Sequence, residues 1–396
     1  MTNVAHVQDY EYTVQVNRWF LKPIGAWPKL TESTWPERIL AKLLNLVCHT
    51  LVVLTFLPCA LFILFEDTSM EARMKAIGPM SHWLMGELNY CCLLGRMNDV
   101  HCCLKHVESD WKTVGKPRHR ELMLQNAKVG RFIACVAALC MNIGVLSYNI
   151  ATSAKTTVFR VGNESHTMYL LPCPFYTKLM DTRYSPVNEI IFVMQLVSGL
   201  IVNFVTVGAC GLAATLAAHA CGQLNVVMSR LDDMVNTKAE QSPARNKLAF
   251  IVEHHLRSLS LILRIEKVMN LICLVELVGC TFNLCMLEYY ILTEKSKETV
   301  ASYAILYASM TFNIFIFCYI GEKLTEQCKK VGKIAYMTNW YRLPHKTAAG
   351  LILVISRSSQ VTKITAGKLV HISIATFGDV FKTSFTYFNM LRTIAM

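Results

Sequence analysis

Seven stretches of the chain are apolar over a length close to a bilayer's thickness, and polar, mostly basic segments separate them. A hydrocarbon core of about 30 Å takes roughly 20 residues of helix. Ile39–Phe65, Phe132–Ala151, Ile190–Leu216, Val268–Leu292, Val300–Ile320 and Leu369–Leu391 each reach that length. Ala76–Leu94 is weaker, interrupted by Pro79, His82, Glu87 and Asn89, and it counts as the second span because the charge alternation requires it. None of these runs has the two-residue alternation of membrane strands, and all are too long for them. The pattern predicts an all-α membrane protein with seven transmembrane helices.

Composition agrees: 53% of residues are hydrophobic and 17% charged, against about 25% charged in a soluble domain. The net charge of +12 would point to nucleic acid only if it gathered on a water-facing surface. It does not. The N-terminal tail and the segments after spans 2, 4 and 6 hold 28 of the 39 Lys and Arg residues, and the alternate segments hold nine. That bias puts the N-terminus in the cytoplasm and the C-terminus outside. The sequon Asn163-Glu-Ser165 then falls in an outside loop, a candidate glycosylation site. A G-protein-coupled receptor has the opposite orientation, and neither an Asn-Pro pair in the last span nor a D/E-R-Y run after the third is present.

The first 37 residues read as a polar cytoplasmic tail with scattered aromatics. Helical periodicity in Gln223–Met234, Lys247–Arg264 and Glu322–Trp340 predicts that spans 4, 5 and 6 continue into the cytoplasm as a helical base. The organisation expected is a cytoplasmic segment over 1–38, six helices over 39–320, a cytoplasmic anchor over 321–368 and a last helix over 369–396.

Chemistry is sparse. No G-x-S-x-G, H-E-x-x-H, C-x-x-C or phosphate-binding glycine loop occurs, so no enzyme, cofactor or metal is expected. His101-Cys102-Cys103-x-x-His106 has ligand types without ligand spacing. Most of the sixteen cysteines lie in or beside spans as packing residues, and Cys173, alone in an outside loop, has no evident disulfide partner. Charges inside spans are few, Lys42, Glu87, Glu276, Asp379 and Lys382 among them, and no repeated halves appear, which weighs against a transporter.

The C-terminal third carries Trp340-Tyr341-x-Leu343-Pro344, Arg357-Ser358-Ser359-Gln360, Ile364-Thr365-Ala366-Gly367-Lys368 and Phe381-Lys382-Thr383-Ser384-Phe385-Thr386-Tyr387-Phe388. With Leu171-Pro172-Cys173-Pro174, His219-x-Cys221-Gly222-Gln223-Leu224 and Asp110-Trp111, this run resembles the insect odorant receptor family across essentially the whole chain. Gustatory receptors, the nearest alternative, end in T-Y-x5-Q-F. Thr386-Tyr387 is present here without the Gln-Phe.

The resemblance implies a tuning subunit, paired with a longer co-receptor in a tetrameric cation channel of the olfactory neuron's plasma membrane. The ligand would be an apolar volatile, with lipid as the surrounding partner and no nucleic acid. It further implies a pocket in the outer halves of spans 2, 3, 4 and 6. Those halves contain Met80 and Trp83; Leu146, Ser147 and Tyr148; Met194, Gln195 and Ser198; and Tyr303, Tyr307 and Met310. The last span would line the pore, with Met390 at the gate, Leu391 beside it and Thr393 at the filter. The co-receptor has Val and Gln at gate and filter, so Met390, Arg392 and Thr393 argue against conduction by a homomer.

Overall fold

The computed structural model describes residues 2–28, 35–161, 164–236, 244–360 and 362–395. Ten α-helices dominate it: α1 (Thr2–Leu21), α2 (Trp35–Phe65), α3 (Met70–Gly95), α4 (Met97–Thr113), α5 (Pro117–Ser153), α6 (Val187–Asn236), α7 (Ala244–Thr293), α8 (Lys297–Met337), α9 (His345–Ser359) and α10 (Ile374–Ala395). Of these, α2, α5, α6, α7 and α8 are long and apolar enough to cross a membrane. The expected second and seventh spans correspond to α3 and α10, whose charged residues lower their hydropathy, and both pack along the others.

The long helices run on past their apolar portions. α6 and α7 are 50 residues each and α8 is 41, so the three periodic basic stretches are continuations of these helices. An expected boundary at 320/321 therefore falls inside α8, where Ile320, Gly321 and Leu324 are all buried. The 38/39 boundary likewise falls within α2.

The N-terminal segment is not a loose tail. It forms α1, which lies against α5 and α6 with Val14 and Leu21 buried. Close approach is possible because α6 has glycine there. A Cβ at Gly208 would meet Leu21, and one at Gly211 would meet the Asn17 carboxamide. Asn17 also donates to Thr215 at 2.8 Å, and Arg120 clasps Asp9 through two nitrogens.

Strands, absent from the sequence reading, form two small hairpins. β1 (Thr156–Val161) pairs antiparallel with β2 (Glu164–Tyr169) between α5 and α6. Asn163, between these strands, lies outside the described residues. β3 (Thr365–Ala366) pairs with β4 (Val370–His371) and turns the chain from α9 into α10. The turn needs left-handed backbone at Gly367 (φ 59°) and Lys368 (φ 62°), which glycine adopts without steric cost. The Gly367 N–H then donates to the Asn270 carbonyl of α7 at 2.8 Å, and Thr365 donates to Glu266 at 2.7 Å. The motif Ile364–Lys368 is thus a hinge pinned to α7, and α10 begins five residues after the expected start at 369.

Glu276 of α7 is fully buried, accepting from Asn89 of α3 at 2.7 Å and Asn313 of α8 at 2.6 Å. This polar node joins three helices at the centre of the bundle. On the basic side, Asp110 of α4 receives His219 of α6 at 3.0 Å and the Arg257 guanidinium of α7 at 2.7 Å. Burial alone would raise the Asp110 carboxyl, but His219, His106 and Arg257 outweigh it and hold it below the usual range. The metal-like run in α4 divides as a helix requires: Cys103 points into the core and Cys102 outward.

Candidate functional site: a cavity between α3, α5, α7 and α8

A cavity of about 400 Å³ opens between these four helices, under the loop that carries Leu171-Pro172-Cys173-Pro174. Its wall is mostly apolar, and the charged Lys75, Lys155 and Glu294 stand at helix ends around it. A ligand hiding about 200 Å² of apolar surface would gain about 5 kcal/mol there. A single hydrogen bond adds only about 1 kcal/mol. Burial therefore sets affinity, and shape with a few polar atoms sets selectivity.

Aromatic residues build the wall. Of the residues named from the sequence, Trp83 of α3, Tyr148 of α5, and Tyr303 and Met310 of α8 line the cavity. Tyr290 of α7 joins them with its ring centroid 5.6 Å from that of Tyr303. Its hydroxyl donates to the Met74 carbonyl at 2.7 Å and accepts the Gly78 N–H at 2.9 Å. Those two backbone groups are the pair that a regular helix joins directly. Gly78 permits the insertion, since a Cβ there would lie 2.5 Å from the phenol oxygen.

Two of the residues expected from α6, Gln195 and Ser198, lie one layer behind the wall. Only Gly199 of that helix reaches the cavity. Ser198 is buried between Thr55 at 2.8 Å and the Trp83 indole N–H, which donates to it at 2.9 Å, so it fixes the Trp83 ring. Gln195 holds the roof. Pro172 and Pro174 have no N–H, and Cys173 between them keeps both backbone groups. Gln195 accepts the Cys173 N–H at 3.0 Å and donates to its carbonyl at 2.9 Å. The Cys173 thiol lies beside that of Cys59, the neighbour that the linear sequence did not reveal; both are free.

The other five expected residues face elsewhere. Leu146 is exposed on the outer surface of α5. Ser147 lines an adjoining recess with Glu298 and Ser302, the latter shared with the cavity. Met80 and Met194 are half-buried but outside the wall. Tyr307, one turn after Tyr303, turns toward α10. Its hydroxyl donates to Glu288 at 3.1 Å, its ring lies 6.5 Å from that of Phe381, and Ser384 donates to the same Glu288 oxygen at 3.4 Å.

Conversely, α7 contributes Asn283, Met286, Leu287 and Tyr290, none of them anticipated. His82 also lines the cavity with its Nδ1 buried and unpartnered, as does Thr299 with its hydroxyl. On α10, Val380, Ser384 and Phe388 face inward, whereas Asp379, Lys382, Thr386, Asn389, Met390 and Thr393 are exposed and Leu391 is half-buried.

The comparisons with known proteins decide what this arrangement belongs to. A family profile described as seven-transmembrane odorant receptor matches residues 70–385. This chain belongs to the odorant receptor family. The family is one of receptors, and the five membrane-length helices are those of a multi-pass membrane protein. Odorant receptor 67c of Drosophila melanogaster is 25% identical over 182 residues, 46% of this chain and 45% of that one. Odorant receptor 82a of the same fly is 23% identical over 282 residues, covering 70% and 72%. The odorant receptor coreceptor of Ooceraea biroi is 24% identical over 156 residues, 39% and 33%. The chain spans about half the length, or less, of the first curated relatives it matches. The insect olfactory receptor OR5 of Machilis hrabei shares the fold, with TM-score 0.78, 15% identity and 98% coverage of both chains. The same receptor in complex with eugenol aligns with TM-score 0.79.

Proposed function

We propose that this odorant receptor is the tuning subunit of a ligand-gated, non-selective cation channel, assembled with a co-receptor as a heterotetramer. Seven helices (α2, α3, α5, α6, α7, α8 and α10) cross the plasma membrane of an olfactory neuron's dendrite, with the N-terminus inside and the C-terminus outside. An apolar volatile, an odorant or pheromone, occupies the cavity against Trp83, Tyr148, Tyr303 and Met310. The segment 321–368 anchors subunits in the cytoplasm, and Asn163 is the glycosylation acceptor. The complex of an OR5 receptor with eugenol supports a small-molecule ligand for a cavity in this fold.

The observation that carries the reading is the two-sided placement of α8. Tyr303 stands in the cavity wall, and Tyr307, one turn on, engages Glu288 and Phe381 at the face of α10. A ligand that favours one rotation of α8 therefore favours one position of α10, which is what a population shift requires. The exposed face of α10, polar at Asp379, Lys382, Thr386, Asn389 and Thr393 with Met390 among them, has the composition of a pore lining closed by an apolar ring.

Paired substitutions test this directly. With the co-receptor present, Tyr303→Ala raises the half-maximal ligand concentration. Tyr307→Phe, which loses only the Glu288 contact, lowers maximal current and leaves ligand binding to the purified protein intact. Equal effects of the two on binding would contradict the division of roles.

A further inference from the structure

Between α2 and α3 three side chains meet that the cavity and α10 do not use. His49 comes from α2. Glu87 and Cys91 come from α3, four residues apart and so on one helical face. The His49 Nδ1 lies 2.5 Å from Glu87 Oε1, and the Cys91 Sγ lies 3.8 Å from the same oxygen. All three atoms fall within 4.8 Å of one another. The second carboxylate oxygen, Glu87 Oε2, is buried without a hydrogen-bond partner, which ion pairing with His49 alone does not explain.

Imidazole nitrogen, carboxylate oxygen and thiolate sulfur are the donors that zinc takes, at about 2.0–2.3 Å in a tetrahedron. The corners of such a tetrahedron lie about 3.3–3.7 Å apart. The sulfur–carboxylate edge is nearly that length already, and His49 has to withdraw by only about 1 Å. Charge selects the same ion. One carboxylate and one thiolate neutralise a divalent cation, so the loaded site carries no net charge between two apolar helices, where an uncompensated charge is costly. Calcium and magnesium are disfavoured, because they take oxygen ligands and six or more of them.

We propose that His49 Nδ1, the Glu87 carboxylate and Cys91 Sγ form a zinc site that clamps α2 to α3, with the fourth position open beside the exposed Cys91. Loading forms Zn–N, Zn–O and Zn–S bonds. The thiol proton leaves to solvent, together with one ring proton if His49 is imidazolium, so affinity falls as pH falls. The clamp acts on the helix that carries His82 and Trp83 into the cavity.

The test is a Co²⁺ titration of the purified full-length protein in lipid nanodiscs, with Co²⁺ standing in for Zn²⁺. The expected spectrum has a sulfur-to-cobalt charge-transfer band and intense visible bands of tetrahedral coordination, both bleached by added Zn²⁺. Cys91→Ser, a conservative change at an exposed position, removes the charge-transfer band. Glu87→Gln keeps the side chain's shape and weakens Co²⁺ binding at least about tenfold. A wild-type titration without the thiolate band overturns the proposal, and so does an undiminished band in Cys91→Ser or an unchanged affinity in Glu87→Gln. Size-exclusion profiles matching wild type keep the variant results from being unfolding effects.

Discussion

Residues that touch the cavity and residues that hold its wall are different sets, and they predict different failures. Tyr303 touches it, so Tyr303→Ala should raise the half-maximal ligand concentration about tenfold or more at normal surface expression, an effect of about 1.4 kcal/mol or more. Leu146→Ala, on the exposed side of α5, should leave the same dose–response curve unmoved. Gln195 does not line the cavity. Gln195→Ala strips both partners from the buried Cys173 backbone and should cost about 1–3 kcal/mol, read as a lower thermal midpoint in detergent and a loosened roof. The sequence told which residues were large and apolar, and of those it named, Trp83, Tyr148, Tyr303 and Met310 stand in the cavity wall. It could not tell which side of a helix faces inward when every side is apolar. Tyr303 and Tyr307 are separated by four residues, close enough to read as one face, yet the second is rotated and displaced one turn deeper, onto α10. Tyr290 was invisible for another reason: its partner, the backbone of Gly78, is 212 residues away.

Elements were more legible than their ends. The long apolar runs appear as helices, and their basic extensions are unbroken because nothing in Gln223–Met234 or Lys247–Arg264 stops a helix. The docked α1 was missed because its packing depends on two glycines of α6, a distant feature. Leu21, fully buried against Gly208, measures that docking: Leu21→Ala should cost about 2–5 kcal/mol and lower the thermal midpoint. The basic side of the bundle adds a pH signature. Burial, helped by Arg230, brings His254 from 6.5 down to about 4, and burial, helped by Arg357, does the same for His255. Both are therefore neutral in the folded protein over a range in which the unfolded chain is protonated. Their contribution to stability is complete above about pH 6.5 and is lost progressively as pH falls toward 4. The thermal midpoint should drop across that window, and replacing both histidines with Gln should flatten the drop.

For the whole molecule, the distribution of positive charge is the argument for the proposed orientation, with the N-terminus inside. In the proposed channel the polar face of α10 lines the pore together with the last helices of the other subunits. The proposed heteromer rests on the family resemblance, with Met390 and Thr393 at the end of that face arguing against a conducting homomer. The measurement that tests this most directly is whole-cell current from cells expressing this chain with and without an insect co-receptor, over a panel of volatile esters, alcohols, acids and hydrocarbons. The account predicts a ligand-evoked cation current, independent of G-protein signalling, only when both subunits are present and with a ligand sensitivity that Tyr303→Ala shifts. A response of this chain that requires G-protein signalling, or an N-terminal epitope reached by antibody on intact cells, would contradict it.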